Sequence, residues 1–323
     1  MTHLFAGLPV EQLARSPYVA ATTHAMEIKA RDLGLHVAPG AYVYILPGLS
    51  GFVGPDHVAM IVAAGLDRAS RVTLGVDIGT NTEISLARPG EPFLASASCA
   101  SGPAFEGAHI SDGMRAAPGA IEAVRLTSEG LNLSTIEDAP AIGLCGSGIV
   151  DAISVMVQER IINRHGRFQP ASGPSQRQGR HGPEWLLVPA KKSGSGRDVV
   201  VTQKDVNEIQ LAKGAIHAGI EVLLEATGTP FEAVEEVVIA GAFGSYINVE
   251  SALNIGLLPR FPNAQYRQVG NAAIVGARLA LLSIKERDRA ERIAAQTRYI
   301  ELTTYPKFNR RFALGMLFPA NGA

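Results

Sequence analysis

Apolar residues in this chain gather in short runs that stop at glycine or at a carboxylate, the pattern of buried strands feeding tight turns. Residues 72–76 form such a run, which ends on Asp77, turns through Gly79, Thr80 and Asn81, and resumes as a second strand over 82–86. After Arg88-Pro89-Gly90-Glu91 a third strand returns over 93–97. Residues 141–144 form a short strand that opens at Cys145-Gly146-Ser147-Gly148 into a helix over about 149–163, with Asp151 in its first turn. Residues 236–240 run into Gly241-Ala242-Phe243-Gly244-Ser245, followed by a helix over 249–254. Gln268-Val269-Gly270-Asn271-Ala272-Ala273 repeats that arrangement ahead of a small-residue helix ending near 283, suited to close approach as a hinge helix would need.

A period of 3.6 places Ile209, Ala212, Ile216, Ile220, Leu223 and Leu224 on one helical face. Thr202-x-x-Asp205 opens that helix as a capping box and Gly228 closes it. Upstream, residues 42–46 alternate as a strand, 27–33 read as short and partly helical, and Asp56 caps a helix over 57–65. Residues 120–125 and 131–133 pair as a hairpin. Residues 166–198 are rich in Gly, Ser, Gln and Arg and read as an exposed, mobile insertion anchored by Trp185-Leu186-Leu187-Val188. Phe308, Phe312 and Met316 recur at helical spacing, which predicts a docking helix near the C-terminus.

Composition narrows the function classes. The chain has 323 residues, 46% of them hydrophobic and 18% charged, with a formal net charge of −1. That is a globular chain with no field suited to nucleic acid or to an anionic membrane. No apolar run is long enough to span a bilayer, and cytoplasmic residence is expected. The two cysteines, Cys99 and Cys145, cannot supply the four thiolates of an iron–sulfur cluster within one chain.

The hairpin carries the densest chemistry. Gly79 permits close backbone approach, and the N–H groups of Gly79, Thr80 and Asn81 suit an anion nest. Asp77 can hold a Mg²⁺-bound water, Thr80 and Thr82 add hydroxyls, and Glu83 a second carboxylate. The same residues also suit an ordinary hairpin whose side chains satisfy their own backbone. Gly146 and Ser147 open a helix whose N–H groups can take an anion or simply pack tightly. Gln210, Lys213 and His217 share a second face of the long helix, either solvated or set against a flat ligand beside Gly214. Gly241, Ala242, Phe243 and Gly244 follow a strand end where an adenosine or ribose phosphate fits. Residues 98–107 form another glycine-rich loop, containing Ser101, Gly102 and Phe105.

Asp77-Ile-Gly-Thr-Asn-Thr-Glu-Ile84, Ser101-Gly-Pro-Ala-Phe-Glu-Gly107, Cys145-Gly-Ser-Gly-Ile149, Gln210-Leu-Ala-Lys-Gly-Ala-Ile216, Ile239-Ala-Gly-Ala-Phe-Gly-Ser-Tyr246 and Val269-Gly-Asn-Ala-Ala273 together resemble the reductive activators of corrinoid proteins. The resemblance covers essentially the whole chain. It implies an actin-like ATPase (ribonuclease H-like) fold of the acetate and sugar kinase, Hsp-type chaperone and actin superfamily, whose two lobes close on ATP and Mg²⁺. On it, Asp77 and Glu83 are the catalytic carboxylates, Gly79 to Thr82 with Gly146 and Ser147 face the phosphates, and Gly241 to Gly244 form the adenosine loop. Gln210, Lys213 and His217 then touch adenine and ribose. The loop of Ser101, Gly102 and Phe105 is expected to face the corrinoid protein, with the Ser101 hydroxyl either approaching cobalt or capping its own turn. The family drives Co(II) to Co(I) with electrons from an N-terminal [2Fe–2S] ferredoxin-like domain. On this pattern residues 1–70 are the remnant of a first lobe, 71–302 a complete second lobe and 303–323 a docking tail, and the chain is expected to be a fragment without the ferredoxin domain. A small-molecule kinase, a dehydratase-activator ATPase with a [4Fe–4S] cluster between subunits, and a non-catalytic binding module are the competing readings.

Overall fold

In the central sheet, strand after strand is apolar on both faces, because helices cover both. The structure is a computed structural model that describes residues 1–323 apart from 16–17, 92–93, 129, 171–174, 181, 242, 245 and 320–323. The sheet contains β1 (Thr73–Asp77), β2 (Thr82–Ala87), β3 (Ala95–Cys99), β4 (Glu236–Ala240), β5 (Gln265–Gly270) and β6 (Arg298–Tyr299), in the order β5-β4-β1-β2-β3-β6. β2 is antiparallel to β1 and to β3. β4 runs parallel to β1 with Ala240 opposite Asp77, and parallel to β5. Three strands therefore end at one edge, where crevices form in open sheets.

Among the described residues, helices α1 (Pro55–Ala64), α2 (Gly146–Gln158), α3 (Gln203–Thr227), α4 (Val249–Asn254), α5 (Ala272–Leu282), α6 (Ile284–Gln296) and α7 (Phe308–Gly315) pack around this sheet. On one face of the sheet Ile209, Ile216 and Ile220 of α3 and Ile149 and Ile153 of α2 bury against Val76, Ile84, Val237 and Ile239. On the other, Val58, Ile61 and Val62 of α1 meet Ala87, Val238, Ala240, Ala280 and Ile293. Residues on both sides of position 70 thus share one core. None of the described helices is long and apolar enough to cross a membrane.

The capping box forms as read: the Asp205 N–H donates to Thr202 Oγ1 at 3.3 Å, and the Thr202 N–H to Asp205 Oδ2 at 2.8 Å. Asp in place of the usual Glu is held there because Ser111 donates its N–H and hydroxyl to the other carboxylate oxygen. α3 closes on Gly228 at φ +64°.

Several local expectations give way. The stretch 166–198 is not a structureless insertion: strands Gln176–Gly179, Gly182–Val188 and Val199–Thr202 form a sheet, with Trp185 and Leu187 buried and Arg177 paired to Glu184 and Asp198. Charged and glycine positions mask its period of two. The expected third strand begins at Ala95, and Phe93 lies outside the described residues. Residues 26–29 are strand, with a 3-10 turn over 30–33. Asp151 sits in the second turn of α2, where it accepts the Val124 N–H at 3.2 Å. α6 escapes pattern reading because its buried residues, Arg289, Ala290 and Ile293, are a thin stripe among charges.

Candidate functional site

At the edge where β1 and β4 end, the chain encloses a cleft of about 740 Å³. The β1–β2 turn supplies Asp77, Gly79, Thr80 and Asn81, and β2 supplies Glu83. The segment after β4 supplies Gly241 and Phe243, and the start of α5 supplies Asn271 and Ala273. His3, Thr22, His24, Ser50 and Asp56 are among the residues that line the opposite wall.

Local geometry explains the glycine at 241. Its φ is +96°, and a Cβ would lie 3.0 Å from Asp77 Oδ1 and collide with the Ile78 carbonyl. Only glycine lets two strand ends meet this closely. The Ile78 N–H donates to the Ala240 carbonyl at 3.1 Å, fixing hairpin and loop together.

The electrostatics are one-sided. Asp56, Asp77, Glu83 and Glu106 line the cleft, and its described lining contains no lysine or arginine. Burial pushes the Asp77 carboxyl up to about 6, helped by the charge of Asp56. Burial, then Asp56 and Asp77, push Glu83 up to about 8, although the Ser98 hydroxyl donates to it at 3.2 Å. Excess negative charge in a partly desolvated site favours a bound cation. The carboxylates suit Mg²⁺, a hard ion taking oxygen ligands and keeping its waters. Thr80 Oγ1 donates to Glu106, tying the turn to the loop at 98–107.

Asp56 was legible only as a cap. Gly54 is the N-cap of α1, with Pro55 at its first position, and Asp56 accepts the N–H of His57. Gly-Pro-Asp after a glycine-rich loop is the signal that a carboxylate faces back toward the cleft. Behind it, the His57 ring is buried against Ser85 Oγ at 2.6 Å, and burial drives its pKa down to about 3, so it stays neutral. Asn271 caps α5 by accepting the Ile274 N–H.

Other expected site residues lie elsewhere. Thr82 is buried, its hydroxyl 2.9 Å from Ser101 Oγ. Gly146 sits beneath Phe243 and the Phe105 carbonyl, and Ser147 is buried beside Cys145, so the N-terminus of α2 is covered rather than open to an anion. Gly244 is buried behind the loop, its carbonyl accepting from Gln268 at 2.7 Å, and Ala242 lies outside the described residues.

The face of Gln210, Lys213 and His217 is occupied by the chain's own C-terminal segment. Lys213 is only 1% exposed; its ammonium donates to the carbonyls of Gly315 at 2.5 Å and Leu317 at 2.8 Å and lies 5.2 Å from the Phe318 ring centroid. Burial draws its pKa down to about 7. Gln210 donates to the Met316 carbonyl at 2.9 Å, and His217 pairs with Glu221. The space beside Gly214 holds Met316 and the Phe312 carbonyl instead of a flat ligand. Gln210 and Lys213 thus answer backbone carbonyls, and His217 answers a carboxylate.

The loop expected to face a partner is also turned inward. Ser101 is buried, with its hydroxyl near Thr82 Oγ1 and 3.3 Å from the Gly79 carbonyl, so it braces the hairpin and does not point outward. Phe105 is buried and stacks on Phe243 at 5.0 Å between centroids and 13° between planes. Gly102, at φ +73°, remains partly accessible. Cys99 and Cys145 are both buried free thiols, and among the described residues no three His, Cys, Asp or Glu side chains are grouped so as to hold one metal ion directly, which leaves the cleft carboxylates to act on Mg²⁺ through its waters.

Comparison with known proteins bears on the family and the fold. The family model described as the C-terminal domain of RACo, the ASKHA domain, matches residues 71–323, and that of the RACo middle region matches residues 1–69. The corrinoid activation enzyme RamQ of Eubacterium limosum is 38% identical over 99% of this chain and 55% of its own length. The [Co(II) methylated amine-specific corrinoid protein] reductase of Methanosarcina barkeri is 25% identical over 87% of this chain and 52% of its own. A solved reductive activator for corrinoid, iron–sulfur protein superposes with a TM-score of 0.92 at 35% identity, over 99% of this chain and 51% of that one. The chain therefore spans about half the length of these relatives. With both family models matched and a sheet ending in an acidic hairpin cleft, the chain belongs to the reductive activators of corrinoid proteins, and its main body has their actin-like ASKHA fold.

Proposed function

We propose that this chain is the nucleotide-binding module of a corrinoid-protein activator, coupling Mg·ATP to the one-electron reduction of Co(II) corrinoid to Co(I). The observation that carries the reading is the convergence of the Asp77–Glu83 hairpin with Gly241 and Phe243 on one cleft. The cofactor, when bound, supplies binding and hydrolysis energy and a doubly charged cation. Asp77 would hold the cation through its hydration shell, and Glu83 can take or return a proton at its carboxylate. The N–H groups of Gly79, Thr80 and Asn81 face the phosphates. Phe243 and Gly241 flank the nucleoside, and Phe105, stacked on Phe243, senses its presence.

The partners in this reading are a corrinoid protein, which accepts the electron, and a ferredoxin-like [2Fe–2S] donor, which supplies it. Work takes place in the cytoplasm. Ser101 joins nucleotide to partner indirectly: it ties the loop at 98–107 to the hairpin, so a hairpin displaced by nucleotide moves Gly102 and its neighbours at the surface.

The test is reactivation of Co(II) corrinoid protein, followed by its visible spectrum, with a complete activator of this family carrying the equivalent of Asp77→Asn. The reading requires loss of the ATP-stimulated rate with the [2Fe–2S] spectrum unchanged. An unaltered rate overturns it.

A further inference from the structure

The sheet carries acid at one end and base at the other. Opposite the cleft, where β1 begins and β2 ends, a pocket of about 190 Å³ opens among Arg68, Arg88, Arg289 and Arg292 and the carboxylates of Asp67 and Glu91. Separate pieces of sequence build it. Arg88-Pro89-Gly90-Glu91 is the β2–β3 turn, with Pro89 and Gly90 at its centre, Gly90 at φ +79°, and the Glu91 N–H donating to the Arg88 carbonyl at 3.2 Å. That turn sets Arg88 beside Glu91. The 3-10 turn Leu66–Arg68 after α1 brings Asp67 and Arg68. On α6, Arg289, Arg292 and Gln296 stand three and four residues apart and share the face turned to the pocket.

Both carboxylates are already engaged. Asp67 accepts from Arg289 through both oxygens, at 2.8 Å on Oδ2, and Glu91 accepts from Arg88 at 2.6 Å. Arg289 is 6% exposed and donates also to Glu286 at 2.8 Å, while Arg88 donates to the Thr227 carbonyl at 2.8 Å. These bonds hold two guanidinium groups as fixed walls. Arg68 comes no nearer than 3.8 Å to Asp67, whose oxygens Arg289 occupies, and Arg292 has no ion pair or hydrogen bond among the described residues. Cationic charge is therefore in excess in the lining, even when Glu286 behind Arg289 is counted. Guanidinium groups gathered in this way repel one another, and an anion between them relieves that repulsion.

Size and donor geometry select the ligand. The pocket holds several times the ~30 Å³ of a water, and less than the ~300–1,000 Å³ of sites for larger organic ligands. Buried Leu66, Leu94 and Ile293 supply an apolar part of its lining, which strengthens charge-assisted bonds made beside them. Guanidinium forks match the oxygens of a phosphate, two at a time. We propose that this pocket binds a small phosphate group, free or on a small monoester, gripped by Arg68 and Arg292 against the walls fixed by Arg88 and Arg289. Once bound, it ties the turn after α1, the β2–β3 turn and α6 to one another. The site lies at the far end of the sheet from the cleft and rests on no part of the nucleotide reading.

The test titrates inorganic phosphate, and separately glycerol phosphate, into the full chain by calorimetry, without nucleotide and with ionic strength held constant by chloride. The proposal requires saturable binding at one site, and a thermal unfolding midpoint that rises with the bound ligand. Arg68 and Arg292 are exposed, so Arg68→Gln/Arg292→Gln should keep the parent's midpoint in the absence of phosphate. That variant should bind about tenfold or more weakly for each guanidinium removed. Arg68→Lys/Arg292→Lys, which keeps the charge and loses the forks, should fall between variant and parent. Asp77→Asn, in the cleft, should bind phosphate as the parent does. Tighter binding of glycerol phosphate assigns a monoester as the ligand, and tighter binding of inorganic phosphate assigns the free ion. Three results overturn the proposal: heat that does not saturate with either probe, equal affinity in the parent and the glutamine variant, or an affinity that Asp77→Asn changes and the glutamine variant does not.

Discussion

Asp77 and Glu83 hold protons in the folded chain at pH values where free carboxyls have lost them. The sign of the resulting pH dependence is fixed. A carboxyl whose pKa rises on folding stabilises the fold fully below its unfolded value, near 4, and loses that contribution as pH rises through its folded value. For Asp77 the loss is complete above about 6, and for Glu83 above about 8. Nucleotide-free protein should therefore lose stability to urea between about pH 4 and pH 8, and Glu83→Gln should flatten the upper part of that slope. A slope unaffected by Glu83→Gln would place the titration elsewhere. Lys213 makes a different prediction. Lys213→Met removes charged hydrogen bonds to two carbonyls and should cost about 2–3 kcal/mol in denaturant unfolding. Its Mg·ATP affinity should stay that of the parent, because the ammonium is not in the cleft. Weaker nucleotide binding at unchanged stability would return Lys213 to the ligand.

Elements differ in how much of them the sequence reveals. The hairpin was legible because an apolar run, a carboxylate and a glycine turn are contiguous. α3 was legible because six apolar residues keep its period and both ends are capped. The roles of Gln210 and Lys213 were not, because the carbonyls that satisfy them lie 102 to 106 residues downstream and leave no local mark. Asp56 was missed as a cleft residue for the same reason: its companions, Asp77 and Glu83, are close only after α1 packs on the sheet. The fit of α3 to β3 is testable. A Cβ on Gly219 would collide with Cys99 Sγ. Gly219→Ala should destabilise by about 1–3 kcal/mol through overpacking. Cys99→Ala should restore part of that loss, a coupling a double-mutant cycle measures. Additive effects would mean the backbone yields freely at this crossing.

At the scale of the molecule, the actin-like fold was legible only through the resemblance of the assembled motifs, and the sheet edge that holds the cleft through the glycine turns after Asp77 and Ala240. The exposed apolar face of α5 was not. Pattern reading credits small residues on α5 with close packing, which they do provide, but it cannot say that the leucines beside them would face outward. The cleft has a built floor in the hairpin and an opposite wall that adjoins an open apolar groove. In the proposed reading its four carboxylates, with no lysine or arginine in the described lining, would leave the phosphates to Mg²⁺ and to backbone N–H groups. One calorimetric titration of Mg·ATP into this chain and into its Asp77→Asn variant addresses that arrangement most directly. The account predicts weak binding to the chain alone, with a dissociation constant on the order of 1 mM or about 4 kcal/mol. That binding should require Mg²⁺ and should release protons near pH 7 as the metal ionises the carboxyls. Asp77→Asn should lower the affinity about tenfold or more. Equal binding by parent and variant, both folded, or binding indifferent to Mg²⁺, would contradict it.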